Sequence, residues 1–245
     1  KSLREKIYQA QSLGDVEPIE FMVPYPDIAA IVDGMIIKHG DKLLYSDLSW
    51  TRKDVHNRIK QTANWLRDQG VHPKERVFLG PISFPDAEVL AFAVWTLGAS
   101  LVISDPSMAA EAANKTGAGF SILESPFPDC LAGKPESFDA TYIPLLSDEA
   151  LVYCAKGKNI RLSHYNILVN TNGVEKSLEL TAESVLYSEL SAQSTAWTVL
   201  QVVLPLYTGG TFSKTNPDCW IGKNYTLQFG TPNPKTIQMN EITIL

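Results

Sequence analysis

The sequence has no Cys-x-x-Cys pair, no cluster of histidines and no block of basic residues, and each absence removes a class of function. Its three cysteines, Cys130, Cys154 and Cys219, stand far apart. Cysteines at such spacing make neither a disulfide scaffold nor a zinc site, and they suit a reducing, cytoplasmic compartment. With only four scattered histidines, no metal centre is expected. The formal net charge is -6, so no basic field exists to draw nucleic acid or an anionic membrane surface. No apolar run approaches the roughly 20 residues that span a bilayer. The leader KSLREKIYQAQSLGD is charged and amphipathic where a secretory signal would be apolar, so the sequons at Asn114 and Asn224 are chance matches.

What is present is an ordinary globular composition. The 245 residues are 44% hydrophobic and 20% charged, enough for a substantial core in one domain or two small ones. Ala29–Gly34 reads as a short strand and turn, and Gly40–Tyr45 as a second strand. Thr51 and Asp54 form a capping-box variant that opens a helix with Val55, Ile59, Ala63 and Leu66 on one face and Gly70 at its end. Arg76–Leu79 is a buried strand, Pro85–Leu97 a second helix ended by Gly98, and Ser100–Ile103 the next strand. Strand, helix and strand over about 30 residues make a βαβ unit, hence a mostly parallel sheet covered by helices. The alternation continues with a short helix at Met108–Ala113 and strands at Phe120–Leu123, Tyr142–Leu146 and Leu151–Tyr153. A helix from Ser163 to about Glu175, a strand at Val185–Leu190 and a helix at Ala192–Tyr207 follow. Ser125–Asp139, with three prolines, reads as a surface connection, and the chain after Thr211 as an irregular tail. The fold class expected is α/β.

The richest stretch is Leu151–Asn166, LVYCAKGKNIRLSHYN. Val152-Tyr153 ends a buried strand and Ser163-His164 starts a helix, so Lys156, Gly157 and Lys158 occupy a strand-to-helix connector. Such connectors hold phosphate when aligned N–H groups and a helix dipole face it. The plainer reading is a solvated Lys/Gly turn, with Ser163 as a helix cap and His164 hydrogen-bonded near it. Cys154 reads as a small apolar residue at a strand end, with a nucleophile beside Lys156 as the alternative. The five tryptophans read as packing residues, Trp65 and Trp95 lying off the main stripes where a contact surface could form. Asp54, Asp68 and Asp86 carry no paired-carboxylate signature.

These flanks resemble the adenylate-forming superfamily of acyl- and aryl-CoA synthetases, peptide-synthetase adenylation domains and luciferases. Its signature, Y-T-S-G-T-T-G-x-P-K-G-V followed by S/T-H, keeps here only Tyr153, a Lys156-Gly157-Lys158 remnant and Ser163-His164. Other pieces are similar and in order. Tyr45, Leu48, Arg58, Ala63, Leu66 and Gly70-Val71 resemble the family's Tyr, Leu and then amphipathic helix ending in L-x-x-x-G-V, and Lys74-Glu75-Arg76-Val77 resembles G-D-R-V. Ala91–Ala99 resembles A-x-x-x-A-G-A before a proline-containing strand end, here Asp105-Pro106-Ser107. Ser163-His164-Tyr165-Asn166 resembles S-H-x-N, and Leu204–Thr211 resembles P-L-x-x-G-A-T. The resemblance covers about Ala29 to Thr211.

The resemblance implies a ligase-like domain over 1–211, with 212–245 as a short tail on that domain or on a partner. It implies the family's first sheet, and ATP or AMP, magnesium and CoA as possible cofactors. It places Ser194 and Trp197 at the acyl slot, where an indole stands in place of the family's glycine. The phosphate loop is cut to a stub, and neither Y-G-x-T-E nor the lid lysine is found in these residues. Two functions stay open: a divergent ligase completed by another chain, or a non-catalytic scaffold that regulates an active relative. A homo-oligomer or a complementing chain is expected in either case.

Overall fold

The computed structural model describes residues 23–221 and the backbone of 226–229 and 235–238. The first element differs from expectation. Ala29–His39 is a helix, α1, not a strand and turn. Ile28, Ile31, Val32 and Met35 are buried at helical spacing, and Asp27 caps the start by accepting the Ala30 N–H at 2.9 Å. Gly34, which suggested a turn, serves a close approach instead: a Cβ there would lie 3.2 Å from the Tyr25 ring.

Strands β1 (Leu43–Tyr45) and β2 (Trp50–Thr51) lead into α2 (Arg52–Asp68), whose start is the expected box, Thr51 and Asp54 capping each other. Then come β3 (Arg76–Leu79), α3 (Asp86–Leu97) and β4 (Ser100–Ser104). A 3₁₀ turn at Pro106–Met108 precedes α4 (Ala112–Thr116), so the helix expected at Met108–Ala113 lies a few residues later. β5 (Phe120–Ile122) is followed by a connection that holds a 3₁₀ turn at Asp129–Leu131. Tyr142–Leu146 is not a strand. Ile143 and Leu145 are exposed, and Asp148 holds the segment by accepting from the Tyr142 hydroxyl and the Leu145 N–H.

Next come β6 (Glu149–Ala155), β7 (Lys158–Ser163) and α5 (His164–Ser177), then β8 (Val185–Ser188). The helix expected from Ala192 starts later, as a wide π turn over Thr198–Val203 that continues into α6 (Leu204–Thr208). Pro205 has no N–H to close on the Gln201 carbonyl, which favours a widened turn just ahead of it. The run after Thr211 is not irregular: it yields β9 (Thr211–Phe212), β10 (Cys219–Ile221), β11 (Thr226–Phe229) and β12 (Lys235–Gln238).

The strands form two sheets. One has the order β5-β3-β4-β6-β7, parallel except for β7, which runs antiparallel to β6. The other has the order β12-β11-β10-β8-β9-β1-β2, a second layer assembled from both ends of the described chain. In the five-stranded sheet, Val77, Leu79, Leu101, Ile103 and Leu151 face the large core with α2 and α3. Phe78, Val102, Val152 and Cys154 face the other way, onto Met108 and Ala112. Among the described residues no helix is long and apolar enough to cross a membrane.

Candidate functional site

Ala155 pairs with Lys158, so Lys156 and Gly157 alone make the turn between β6 and β7. Gly157 takes φ +82°, a backbone conformation that favours glycine, and a Cβ there would meet nothing; the dihedral is what asks for glycine. Lys156, Gly157 and Lys158 are all exposed. The connector is therefore strand-to-strand. Six residues of β7, about 20 Å of extended chain, separate the turn from the first turn of α5. The helix amides that the sequence seemed to place beside the lysines lie at the far end of the strand. There Ser163 and Asn166 cap each other, at 2.9 and 3.2 Å.

Beside the turn is an open cleft of about 350 Å³ lined by Lys115, Ala155, Gly157, Lys158 and Asn159. Lys115 is paired with Glu111 at 2.7 Å, and Asn159 donates to the Lys115 carbonyl at 3.2 Å. Cys154, at the end of β6, is buried, and burial pushes its thiol up, which disfavours a nucleophilic thiolate. This corner can attract an anion. It does not fit a triphosphate, because two turn residues offer too few amides to wrap one.

The second candidate lies inside. Trp197 is 1% exposed, and its indole N–H donates to Glu88 Oε1 at 2.8 Å. Gln201 Nε2 donates to the same oxygen at 2.8 Å, while Gln201 Oε1 accepts from Ser188 Oγ and the Leu190 N–H. Glu88 is wholly buried on α3; burial pushes its carboxyl up, against the pull of the two N–H donors. Its Oε2 and the hydroxyl of Tyr45 are buried without a hydrogen-bond partner. Ser194 caps the approach to the π turn, its Oγ accepting the Ala196 N–H and its carbonyl the Trp197 N–H. Ser194 and Trp197 are thus three residues apart on one turn, with the indole turned inward, and the lysine turn is not part of their network.

Glu88 escaped the sequence reading, although a signal existed. It is a lone acid in DAEVLAFAVWTL, and a helix that is apolar nearly all round is buried nearly all round. Arg52 escaped it too. Its buried guanidinium donates to the carbonyls of Leu43 at 3.1 Å, Gly210 at 2.6 Å, and Lys42 and Gly209, tying β1 to the turn before β9. Trp95, read as a possible contact surface, is fully buried and donates to the Ala150 carbonyl at 2.8 Å. His164 is buried as well, its Nδ1 accepting the Ile28 N–H at 3.2 Å. Burial lowers its pKa to about 4, so it is neutral at neutral pH and fixes the chain ahead of α1. Among the described residues no group of three His, Cys, Asp or Glu side chains could hold a metal ion.

No protein-family model matches the sequence, and none of the curated proteins matches it. Solved structures do. ATP-bound MatB from Rhodopseudomonas palustris is 20% identical with a TM-score of 0.63 over 78% of this chain and 45% of its own. A long-chain-fatty-acid-CoA ligase, FadD1, from Archaeoglobus fulgidus is 18% identical, with a TM-score of 0.62 over 78% and 47%. The anthranilate CoA ligase AuaEII, in complex with anthranoyl-AMP, is 17% identical, with a TM-score of 0.63 over 78% and 44%. The chain spans less than half the length of each. At such identity the likeness is one of fold: over about three quarters of its length, this chain is built like the adenylate-forming ligases.

Proposed function

We propose that this chain is a ligase-like protein of the adenylate-forming kind that does not, by itself, activate a carboxylic acid. One observation carries the reading: β6 and β7 are joined by two residues, Lys156 and Gly157. Adenylation joins a carboxylate oxygen to the α-phosphorus of ATP and expels pyrophosphate. Its barrier falls only when the phosphates are held in line and their charge is met by oriented donors. Donors aligned along a loop are what this turn leaves out, and its two cations, Lys156 and Lys158, are exposed. ATP, bound in the MatB structure, or AMP, whose anthranoyl ester is bound in AuaEII, would meet at most a point contact at Lys156 and Lys158.

A second reading, a non-catalytic scaffold that regulates an active relative, is favoured by Trp197. Its indole fills the interior position that the resemblance assigns to the acyl group. Under both readings residues 1–211 form the ligase-like part, 212–245 pack on it or on a partner, and a homo-oligomer or a complementing chain acts in the cytoplasm. Pyrophosphate exchange with a panel of carboxylic acids tests the first reading. We expect none above background, and exchange by the purified chain would refute it. Thermal unfolding with ATP–magnesium, AMP and CoA tests nucleotide binding, since a ligand at 100 times its Kd adds about 2.7 kcal/mol of stability.

A further inference from the structure

Between α1, α2 and the connection after β5, five side chains form a chain of contacts. Asp33 of α1 faces His56 of α2, with Oδ1 3.1 Å from the imidazole Nε2. Lys60, one turn on, reaches the same carboxylate oxygen at 2.7 Å. The other ring nitrogen, His56 Nδ1, lies 3.2 Å from Asn57 Oδ1. Asn57 Nδ2 in turn donates at 2.8 Å to Oε2 of Glu136, in the connection between β5 and β6.

The donors and acceptors of this chain can be counted. A carboxylate only accepts, so Glu136 requires the NH₂ end of the Asn57 amide and turns its oxygen toward the imidazole. Asp33, a carboxylate too, faces the other ring nitrogen. His56 thus has an oxygen acceptor at each nitrogen, and both contacts are hydrogen bonds only when both nitrogens carry protons. A neutral imidazole has one N–H. That proton would stay at Nε2, facing the charged Asp33, and Nδ1 would confront Asn57 Oδ1 acceptor to acceptor. Turning the amide over would relieve this contact and set its oxygen against the Glu136 carboxylate.

We propose that His56 is a proton-dependent latch: as an imidazolium it joins α1 and α2 to the connection at Glu136, and on losing its Nδ1 proton it releases that connection while keeping α1. The charged groups around it agree with this. Asp33 and Lys60 form an ion pair, Asp27 ahead of α1 interacts with both, and Glu136 faces His56 through Asn57. Asp33 is held down to about 2, chiefly by its hydrogen bond to His56. The rest of the connection stays anchored in either state. Asn64 donates to the carbonyls of Pro135 and Ser137, Gln61 to those of Leu131 and Lys134, and Lys134 pairs with Asp68. The release is therefore local to the stretch around Glu136.

The test is a ¹⁵N NMR titration of the full chain, with its four histidines assigned from single His→Gln variants. The expected result is a His56 with protons on both nitrogens on the acid side. As it becomes neutral, the amide signals of residues 133–139 should move and those of α1 stay. In Glu136→Gln, an exposed change compatible with folding, the side-chain amide accepts either end of Asn57 and no longer sets its orientation. The amide signals of residues 133–139 should then stay as His56 becomes neutral, because nothing holds the Asn57 oxygen toward the imidazole. Signals of 133–139 that still move in Glu136→Gln overturn the latch. So does a His56 with one proton throughout the range in which the chain is folded, or a titration that moves α1 in place of 133–139.

Discussion

At Lys156–Gly157 a single positive φ does the specifying, whereas around Trp197 an indole, a carboxylate and an amide specify one another. Both places were marked by ligase-like motifs in the sequence. The turn is open, its side chains touch solvent, and its sequence is constrained at one backbone dihedral. The interior is filled, and there every change is felt by several neighbours at close-packed density. A residue on a surface turn records little about what else its position must do. A residue packed from all sides records a commitment of the whole core.

The contrast breaks most sharply at Trp197. Trp197→Ala should cost about 4 kcal/mol in urea unfolding, from lost burial, an unfilled cavity and a Glu88 oxygen left with one donor. A cost near 1 kcal/mol would mean that the interior is no more specified than the turn. Next is a pH effect at His164. Its folded pKa of about 4 lies below the unfolded value of 6.5, so the unfolded chain binds the extra proton between those values. Stability should be whole above pH 6.5 and fall as pH drops toward 4, by on the order of 3 kcal/mol. His164→Gln should flatten that part of the curve, and an unchanged slope would assign the loss to other groups. The smallest effects belong to the turn. Gly157→Ala should cost about 1 kcal/mol, for its φ alone. Lys156→Gln and Lys158→Gln should stay within about 0.5 kcal/mol of the parent. Larger losses at the lysines in the same assay would show that the turn is held by contacts after all.

What could be read from the sequence follows the range of the interactions involved. α2, β3, α3 and β4 were legible because capping, helical spacing and short apolar runs are local signals. α1 was misread through Gly34, whose role is to admit the Tyr25 ring from outside the helix. β7 was missed because KNIRLS is half polar, as befits the edge strand of its sheet, although Ile160 and Leu162 keep the two-residue period. The short strands of the seven-stranded sheet draw on partners up to about 170 residues away, and no local pattern announces them. The same holds for the site. Trp197 and Ser194 were placed by motif, but Glu88 and Arg52 act through partners more than 100 residues distant.

Arg52 has a consequence for how the chain is made. Its guanidinium is closed by carbonyls from two distant parts of the sequence, and Gly210 is 158 residues downstream. At about 5–20 residues per second of synthesis, the cation and the free edge of β1 wait roughly 8–30 s for Gly209–Phe212 to be translated. The five-stranded layer, contained entirely within that interval of sequence, can settle first. The nascent chain therefore carries an unsatisfied strand edge from the time β1 is made until β9 is, and β9 is what covers it.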